Sequence, residues 1–194
     1  MDKFKGKYRI PSARLQSWDY AWDGAYFITI CTKDKTHYFG AIANGEMRLS
    51  HLGILADVLW YEIKHHAHNL ELGEFVVMPN HVHGILILNN NDNDGNCRDR
   101  ACPVSTPTIN TSADRNIGQQ RFPNQGKNTI SSIIGGYKSA VTKHAHRLGY
   151  KFAWQPRFHD HIIRNDKSYN YIAEYIKRNP QTWQEDKFYP QDNF

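Results

Sequence analysis

The chain has 194 residues, of which 40% are hydrophobic and 22% are charged, and its formal net charge is +5. These values indicate one globular domain with a substantial core and exclude a disordered chain. Three cysteines cannot all pair within one chain, and no run reaches the ~20 apolar residues of a membrane-spanning helix. The N-terminus also lacks the apolar core of a secretory signal, so a cytoplasmic protein without a membrane partner is expected.

Residues 1–24 are basic and irregular. The positive charges concentrate in the first fourteen positions, at Lys3, Lys5, Lys7, Arg9 and Arg14. A charge run of this kind is usually a solvated surface. Aromatic residues that could stack on bases lie in the same segment, however. A second interpretation therefore stays open, in which the arm contacts nucleic-acid phosphates.

Propensity and periodicity predict five elements in the first half of the chain. They are a strand at 25–32, a short strand at 47–49 after a turn signal, a helix at 51–67, and strands at about 73–78 and 82–89. From 89 to 128 the composition is almost entirely polar and cannot bury enough apolar surface to order itself. We interpret this stretch as a flexible insertion loop within a single domain that spans 1–194.

Three elements are predicted after the insertion. They are a helix at 129–147, a strand at 152–163, and a last helix that is capped by Asp166 or Ser168 and ended by Asn179-Pro180. Gly135 and Gly136 weaken the first of these helices and would permit close packing there. The mixture of hairpin-like strands and helices predicts an α+β fold, a ferredoxin-like antiparallel sheet with helices packed on it.

His81 and His83 alternate with Val82 at the start of a predicted strand. Successive side chains of a strand point to opposite faces, so both imidazoles share a face while Val82 points toward the core. Two adjacent imidazoles form half of a metal site. Two histidines without further ligands are, however, more often polar surface residues at an exposed strand edge. A second pair, His159 and His161, competes for the same role, and spacing alone does not choose between the pairs.

The last helix carries Tyr171, Tyr175 and Asn179 at intervals of four, beside an apolar stripe. Tyrosines so placed are most commonly packing residues with solvated hydroxyls. The functional alternative makes Tyr175 a nucleophile and Asn179 a ligand, since an amide oxygen suits a hard cation such as Mg²⁺ or Mn²⁺. With the two histidines it would complete a three-ligand site that leaves positions open for a phosphate.

The histidine motif in Val-Met-Pro-Asn-His-Val-His-Gly, at 77–84, resembles that of the HUH single-tyrosine transposases. The stretch at 154–165, followed by that at 175–180, resembles one branch of them, the REP-associated tyrosine transposases. The similarity covers about 8–183 without the insertion. It implies a ferredoxin-like fold in which His81 and His83 bind the divalent metal ion and Tyr175 is the nucleophile.

The resemblance also implies the substrate, which in this family is single-stranded DNA folded into a hairpin and cut without ATP. Asn179 matches the polar residue one helical turn beyond the nucleophile. The basic arm, together with Arg157 and Arg164, is assigned to DNA contacts, and His161 and Tyr171 to the lining of the cleft. A single tyrosine carries one covalent DNA link at a time, so complete transposition requires a homodimer or sequential steps.

The leading hypothesis is thus a metal-dependent DNA strand-transferase that cuts and rejoins hairpin DNA through a 5′-phosphotyrosine link. Two alternatives differ from it in what they require. A domesticated hairpin-binding protein without transposition activity would share the fold and the basic arm but would not need the metal. A small metal hydrolase unrelated to DNA would show no salt-dependent DNA affinity, whereas phosphate contacts weaken steeply with salt.

Overall fold

A computed structural model describes residues 22–67, 69–89 and 129–189, with the backbone of 3–4 and 7–8. Two short strands, β1 (Lys3–Phe4) and β2 (Lys7–Tyr8), pair in antiparallel fashion within the predicted basic arm. The side chains of all five basic residues assigned to the arm lie outside the described residues, as does the predicted insertion beyond Asn89. The assignments of both segments therefore stay predictions.

The centre of the fold is a four-stranded antiparallel sheet. Its strands, in spatial order, are β6 (Leu70–Val77), β7 (His81–Leu88), β3 (Gly24–Cys31) and β8 (His159–Ile163). A separate hairpin joins β4 (Gly40–Ala43) to β5 (Glu46–Leu49) through Asn44 and Gly45, whose positive φ angles fit a two-residue hairpin turn. The helices are α1 (His51–Tyr61), α2 (Ile63–His66), α3 (Ile130–Arg147) and α4 (Asp166–Arg178).

Helices cover both faces of the sheet, which confirms the predicted α+β fold. On one face, α1 and α3 pack over a large core that includes Ile28, Val82 and Leu86. On the other face, α4 packs over a smaller cluster in which Ile85 and Ile176 are buried. Because β7 alternates, the residues on either side of Val82 project toward the face that α4 covers.

Gly84 holds β7 tightly against the large core. A methyl group at this position would lie 2.2 Å from Cζ2 of Trp60. The Trp60 ring is fully buried and stacks on Phe75 with centroids 4.6 Å apart, so it has no room to retreat. Glycine is therefore required next to His83 by the close approach of an indole ring.

Four predictions about element details were wrong. The helix at 51–67 is interrupted at Glu62, which separates α1 from α2. The cap of α4 is Asn165, whose Oδ1 accepts from the amide of Ser168, rather than Asp166 or Ser168. Gly135 and Gly136 permit no close packing, because a methyl group at either would meet nothing within 4 Å.

The fourth error is the start of the last strand, which begins at His159 and not at 152. Residues 152–158 make one isolated bridge, between Trp154 and Thr32. Phe152 and Trp154 instead pack edge-on to each other, 4.9 Å apart, and against Phe39 in the core. Their aromatic character serves side-chain packing and not a strand ladder.

In the described parts of the chain, no helix combines the length and the apolar character that crossing a bilayer demands.

Candidate metal centre and nucleophile

The two histidines of the motif lie at the start of β7, an interior strand of the sheet. His81 and His83 are 0% and 1% exposed, and both project toward the face on which α4 packs. An exposed strand edge, the commoner setting of a His-x-His pair, is therefore not what the fold provides.

Neighbouring polar groups fix the orientation of both rings. Nδ1 of His81 donates to Oδ1 of Asn80 at 2.8 Å, and the amide nitrogen of Asn80 donates in turn to the carbonyl of Phe188. Nδ1 of His83 lies 2.9 Å from Oγ1 of Thr29. Anchoring Nδ1 in this way leaves Nε2 of each ring for the site, which is the arrangement typical of metal-binding histidines.

Burial keeps the two rings neutral. It lowers the pKa of His83 to about 3, with Asp186 opposing part of the shift. It also lowers the pKa of His81 well below its ordinary value, assisted by the positive charge that His83 and Lys187 would place nearby. A neutral imidazole offers the lone pair that a cation needs, so the pair is prepared for coordination at neutral pH.

Tyr175 is half-buried on α4, directly over the second histidine. Its hydroxyl lies 3.3 Å from Nε2 of His83 and donates to Oδ2 of Asp186 at 3.0 Å. Phe27 stacks on the His83 ring and meets the Tyr175 ring edge-on. It therefore packs against both His83 and Tyr175. Burial, followed by the carboxylate of Asp186, raises the pKa of Tyr175, so the hydroxyl is protonated at neutral pH.

Asn179 caps the C-terminal end of α4, one turn beyond the tyrosine, and is fully buried. Its amide nitrogen donates to Oδ2 of Asp186 at 2.9 Å. Among the described residues, neither its buried amide oxygen nor Nε2 of His81 has a hydrogen-bond partner. Two orphaned acceptors of this kind are costly unless something positive binds between them.

Asp186 is a member of this candidate site that no sequence pattern indicated. It follows the short 3-10 helix Trp183–Glu185, in a segment without periodicity or a recognisable motif. Its Oδ1 accepts from the amide of Phe188, and its Oδ2 receives the hydrogen bonds from Tyr175 and Asn179. The sequence signal was only a carboxylate six residues beyond Pro180, and many surface carboxylates share that description.

The donor set fits a divalent cation. Ligand atoms of His81, His83 and Asp186 all lie within 4.8 Å of one another. The partnerless Nε2 of His81 and amide oxygen of Asn179 are the acceptors that such an ion would satisfy. Imidazole, carboxylate and amide oxygen together suit Mg²⁺, Mn²⁺ or a related first-row ion.

Aromatic rings cover the histidines on the side of the C-terminal segment. Phe188 lies 4.6 Å and Trp183 5.8 Å from the His81 ring, measured between centroids. Two ammonium groups flank this cover, because those of Lys35 and Lys187 lie 5.7 and 4.8 Å from the Phe188 ring centre. The site is therefore covered by aromatic rings on one side and bordered by positive charge.

The other predicted site residues in the described part of the chain do not join the ligand group. His159 and His161 pair with Thr29 and Phe27, so they share the face of the site, but both are exposed on β8. Arg157 and Arg164 are exposed at the two ends of that strand. Tyr171 is 76% exposed, one turn before Tyr175. Of the two histidine pairs, the structure brings only the first to the tyrosine.

Sequence comparisons find relatives of this chain among known proteins. No family model matches the chain. An uncharacterized protein of Haemophilus influenzae (strain ATCC 51907 / DSM 11121 / KW20 / Rd) is 36% identical over 186 residues, which are 95% of each chain. The REP-associated tyrosine transposase of Escherichia coli (strain K12) is 41% identical over 56 residues, 29% of this chain and 32% of that protein.

A solved structure extends the likeness to nearly the whole chain. It is that of a REP-associated tyrosine transposase bound to a REP hairpin, which matches with a TM-score of 0.51 at 20% identity. The match covers 96% of this chain and 77% of the solved one, and it shows a shared fold. The short sequence match and the shared fold both make this chain similar to REP-associated tyrosine transposases.

Proposed function

We propose that this protein cuts and rejoins single-stranded hairpin DNA through a covalent 5′-phosphotyrosine intermediate that forms on Tyr175, with the help of a divalent metal ion. The observation that carries the proposal is the 3.3 Å approach of the Tyr175 hydroxyl to Nε2 of a buried, neutral His83. A structural tyrosine has no need of a partnerless amide oxygen and a partnerless imidazole beside it. The nature of the DNA is inferred from the solved relative, which is bound to a REP hairpin.

His81, His83 and Asn179 would hold the cation, which supplies charge stabilisation at the oxygens of the scissile phosphate. The chain's own part is to position the nucleophile. Phe27 fixes the tyrosine ring against His83, and the packing of α4 on the sheet keeps the hydroxyl at the histidine pair. Fixed geometry of this kind contributes a large share of the rate in reactions between two groups.

The covalent step exchanges one phosphate ester for another. The Oη–P bond forms as the hydroxyl gives up its proton, and the bond from phosphorus to the 3′-oxygen breaks, with that oxygen taking up a proton. The product is a 5′-phosphotyrosine and a free 3′-hydroxyl. Attack of a free hydroxyl on the link reverses the step and joins strands, so no nucleotide cofactor is consumed.

Incubation with a single-stranded hairpin and Mn²⁺, followed by denaturing electrophoresis, tests the proposal. Wild-type protein should form a covalent DNA adduct that chelation of the metal prevents. Tyr175→Phe should form none, whereas Tyr171→Phe, which removes an exposed hydroxyl on the same helix, should form as much as wild type. An adduct that persists in Tyr175→Phe would contradict the assignment, and hairpin binding without any adduct would favour the domesticated binding protein.

A further inference from the structure

The C-terminal segment brings a negative charge to a site whose other ligands are neutral. Asp186 is half-buried, and its Oδ2 already contacts both Tyr175 and Asn179. From these contacts we infer that Asp186 is itself a ligand of the metal, so that the site is built from two imidazoles, a carboxylate and an amide. The inference rests on the proposed function, because it concerns the same cation.

The first argument is the convergence of ligand atoms. Within the described residues, Asp186 forms with His81 and His83 the group whose ligand atoms approach one another within 4.8 Å. Ligands ~2.1 Å from one ion lie at most ~4.2 Å apart. Neighbouring ligands of an octahedral ion lie only ~3.0 Å apart, so the widest separation would have to close by roughly 0.6 to 1.8 Å, a movement within the reach of side-chain torsions.

The second argument is charge. Imidazole and amide ligands bring no negative charge to a cation, so the buried His81, His83 and Asn179 would leave a divalent ion uncompensated. Charge placed in a protein interior is expensive without a partner of opposite sign. The carboxylate of Asp186 is the anionic group that already touches this centre.

The third argument is that the carboxylate is held in place by its own segment. The amide of Asp186 donates to the carbonyl of Trp183, a buried side chain that anchors the short helix against His81. Oδ1 is engaged by the amide of Phe188, which leaves Oδ2 facing the tyrosine and the asparagine. A ligand already oriented in this way loses little freedom when a cation binds.

Coordination has a consequence for the nucleophile. Oδ2 now accepts hydrogen bonds from both the Tyr175 hydroxyl and the amide of Asn179. A cation on this oxygen would compete with both hydrogen bonds for its lone pairs. The same carboxylate would thus couple the position of the Tyr175 hydroxyl to metal binding.

Calorimetric titration of the metal-free, full-length protein with Mn²⁺ tests the inference without reference to activity. Asp186→Asn keeps the shape but removes the charge and turns one acceptor oxygen into a donor. It should weaken Mn²⁺ binding more than about a hundredfold, beyond the ten- to hundredfold that outer-shell losses cost. Glu185→Gln, the exposed neighbour, should stay within twofold of wild type. Asp186→Glu keeps the charge and should bind more tightly than Asp186→Asn.

The outcomes separate this inference from the proposed function. If wild type binds Mn²⁺ but Asp186→Asn weakens binding by less than about a hundredfold, Asp186 only positions Tyr175 and Asn179, and the inference is wrong. Equal affinities of the Asp186→Asn and Asp186→Glu variants would contradict it too. If wild type binds no Mn²⁺, or if His81→Gln binds as tightly as wild type, the metal part of the proposed function fails instead. Thermal unfolding of each variant checks that the fold is intact.

Discussion

The hydroxyl of Tyr175 and Nε2 of His83 lie 3.3 Å apart, although 92 positions of sequence separate the two residues. The contact exists because α4 packs across the face of the sheet from which β7 projects its histidines. Phe27, on the neighbouring strand β3, fills the angle between the two rings.

Acid should destabilise the metal-free protein. In the unfolded chain both histidines return to a pKa near ~6.5, whereas burial lowers the pKa of His83 to about 3 in the fold and that of His81 well below its ordinary value. Below pH ~6.5 the unfolded chain therefore binds more protons. The free energy of unfolding should fall by up to about 1.4 kcal/mol per pH unit for each histidine.

Urea unfolding at a series of pH values between 7 and 5, in the presence of a chelator, measures this slope. The His83→Gln variant should lose about half of it. A free energy of unfolding that is constant over this range would show that the histidines are not buried as neutral rings.

Gly84→Ala should destabilise the fold by about 1–3 kcal/mol, because the added methyl group meets the buried ring of Trp60. Gly136→Ala makes a matched control. Its methyl group meets nothing within 4 Å, and alanine in a helix interior is favoured over glycine by about 0.5–1 kcal/mol. Chemical denaturation of both variants checks the pair, and equal effects would contradict the packing described at Gly84.

Thr29→Val should weaken Mn²⁺ binding about tenfold or more, because it removes the oxygen that lies 2.9 Å from Nδ1 of His83. Thr142→Val provides the control, since that hydroxyl donates to a backbone carbonyl within α3. Calorimetric titration compares the two variants. Unchanged affinity in Thr29→Val would mean that the threonine does not orient the histidine.

Arg157→Ala and Arg164→Ala should each reduce the affinity for the hairpin whatever its base sequence. Each should also reduce the slope of log K against log salt concentration by about one. Both arginines flank β8, the edge strand beside the site. Arg48→Ala, on the β4–β5 hairpin, should have no such effect. Fluorescence anisotropy at several salt concentrations measures the slopes, and equal slopes in all three variants would remove β8 from the DNA-binding surface.

The architecture and the faces that carry the histidines and the tyrosine were predictable from sequence because they follow local rules. Alternation placed His81 and His83 on one face, and helical spacing placed Tyr175 and Asn179 on one side of α4, as the structure has them. Their roles as metal ligands and nucleophile stay predictions. The family resemblance added the expectation that these two faces meet, which no periodicity could supply.

Other features depend on tertiary contacts that local rules do not describe. Residues 152–158 have strand-like composition. Phe152 and Trp154 nevertheless pack against Phe39 and do not belong to a β-strand. Asp186 lies in an irregular segment, and only the fold brings its carboxylate to the tyrosine. Sequence spacing likewise could not separate the two histidine pairs, because what distinguishes them is burial.

The most direct test of the account is to locate the covalent link on the protein. Wild-type protein trapped with a single-stranded hairpin and Mn²⁺ is digested with trypsin and nuclease, and the modified peptide is sequenced by mass spectrometry. The peptide between Lys167 and Lys177 contains three tyrosines, so fragmentation must assign the phosphate to one of them. The account predicts the phosphodiester on Tyr175; a link on Tyr169, on Tyr171 or on a residue outside α4 would contradict it.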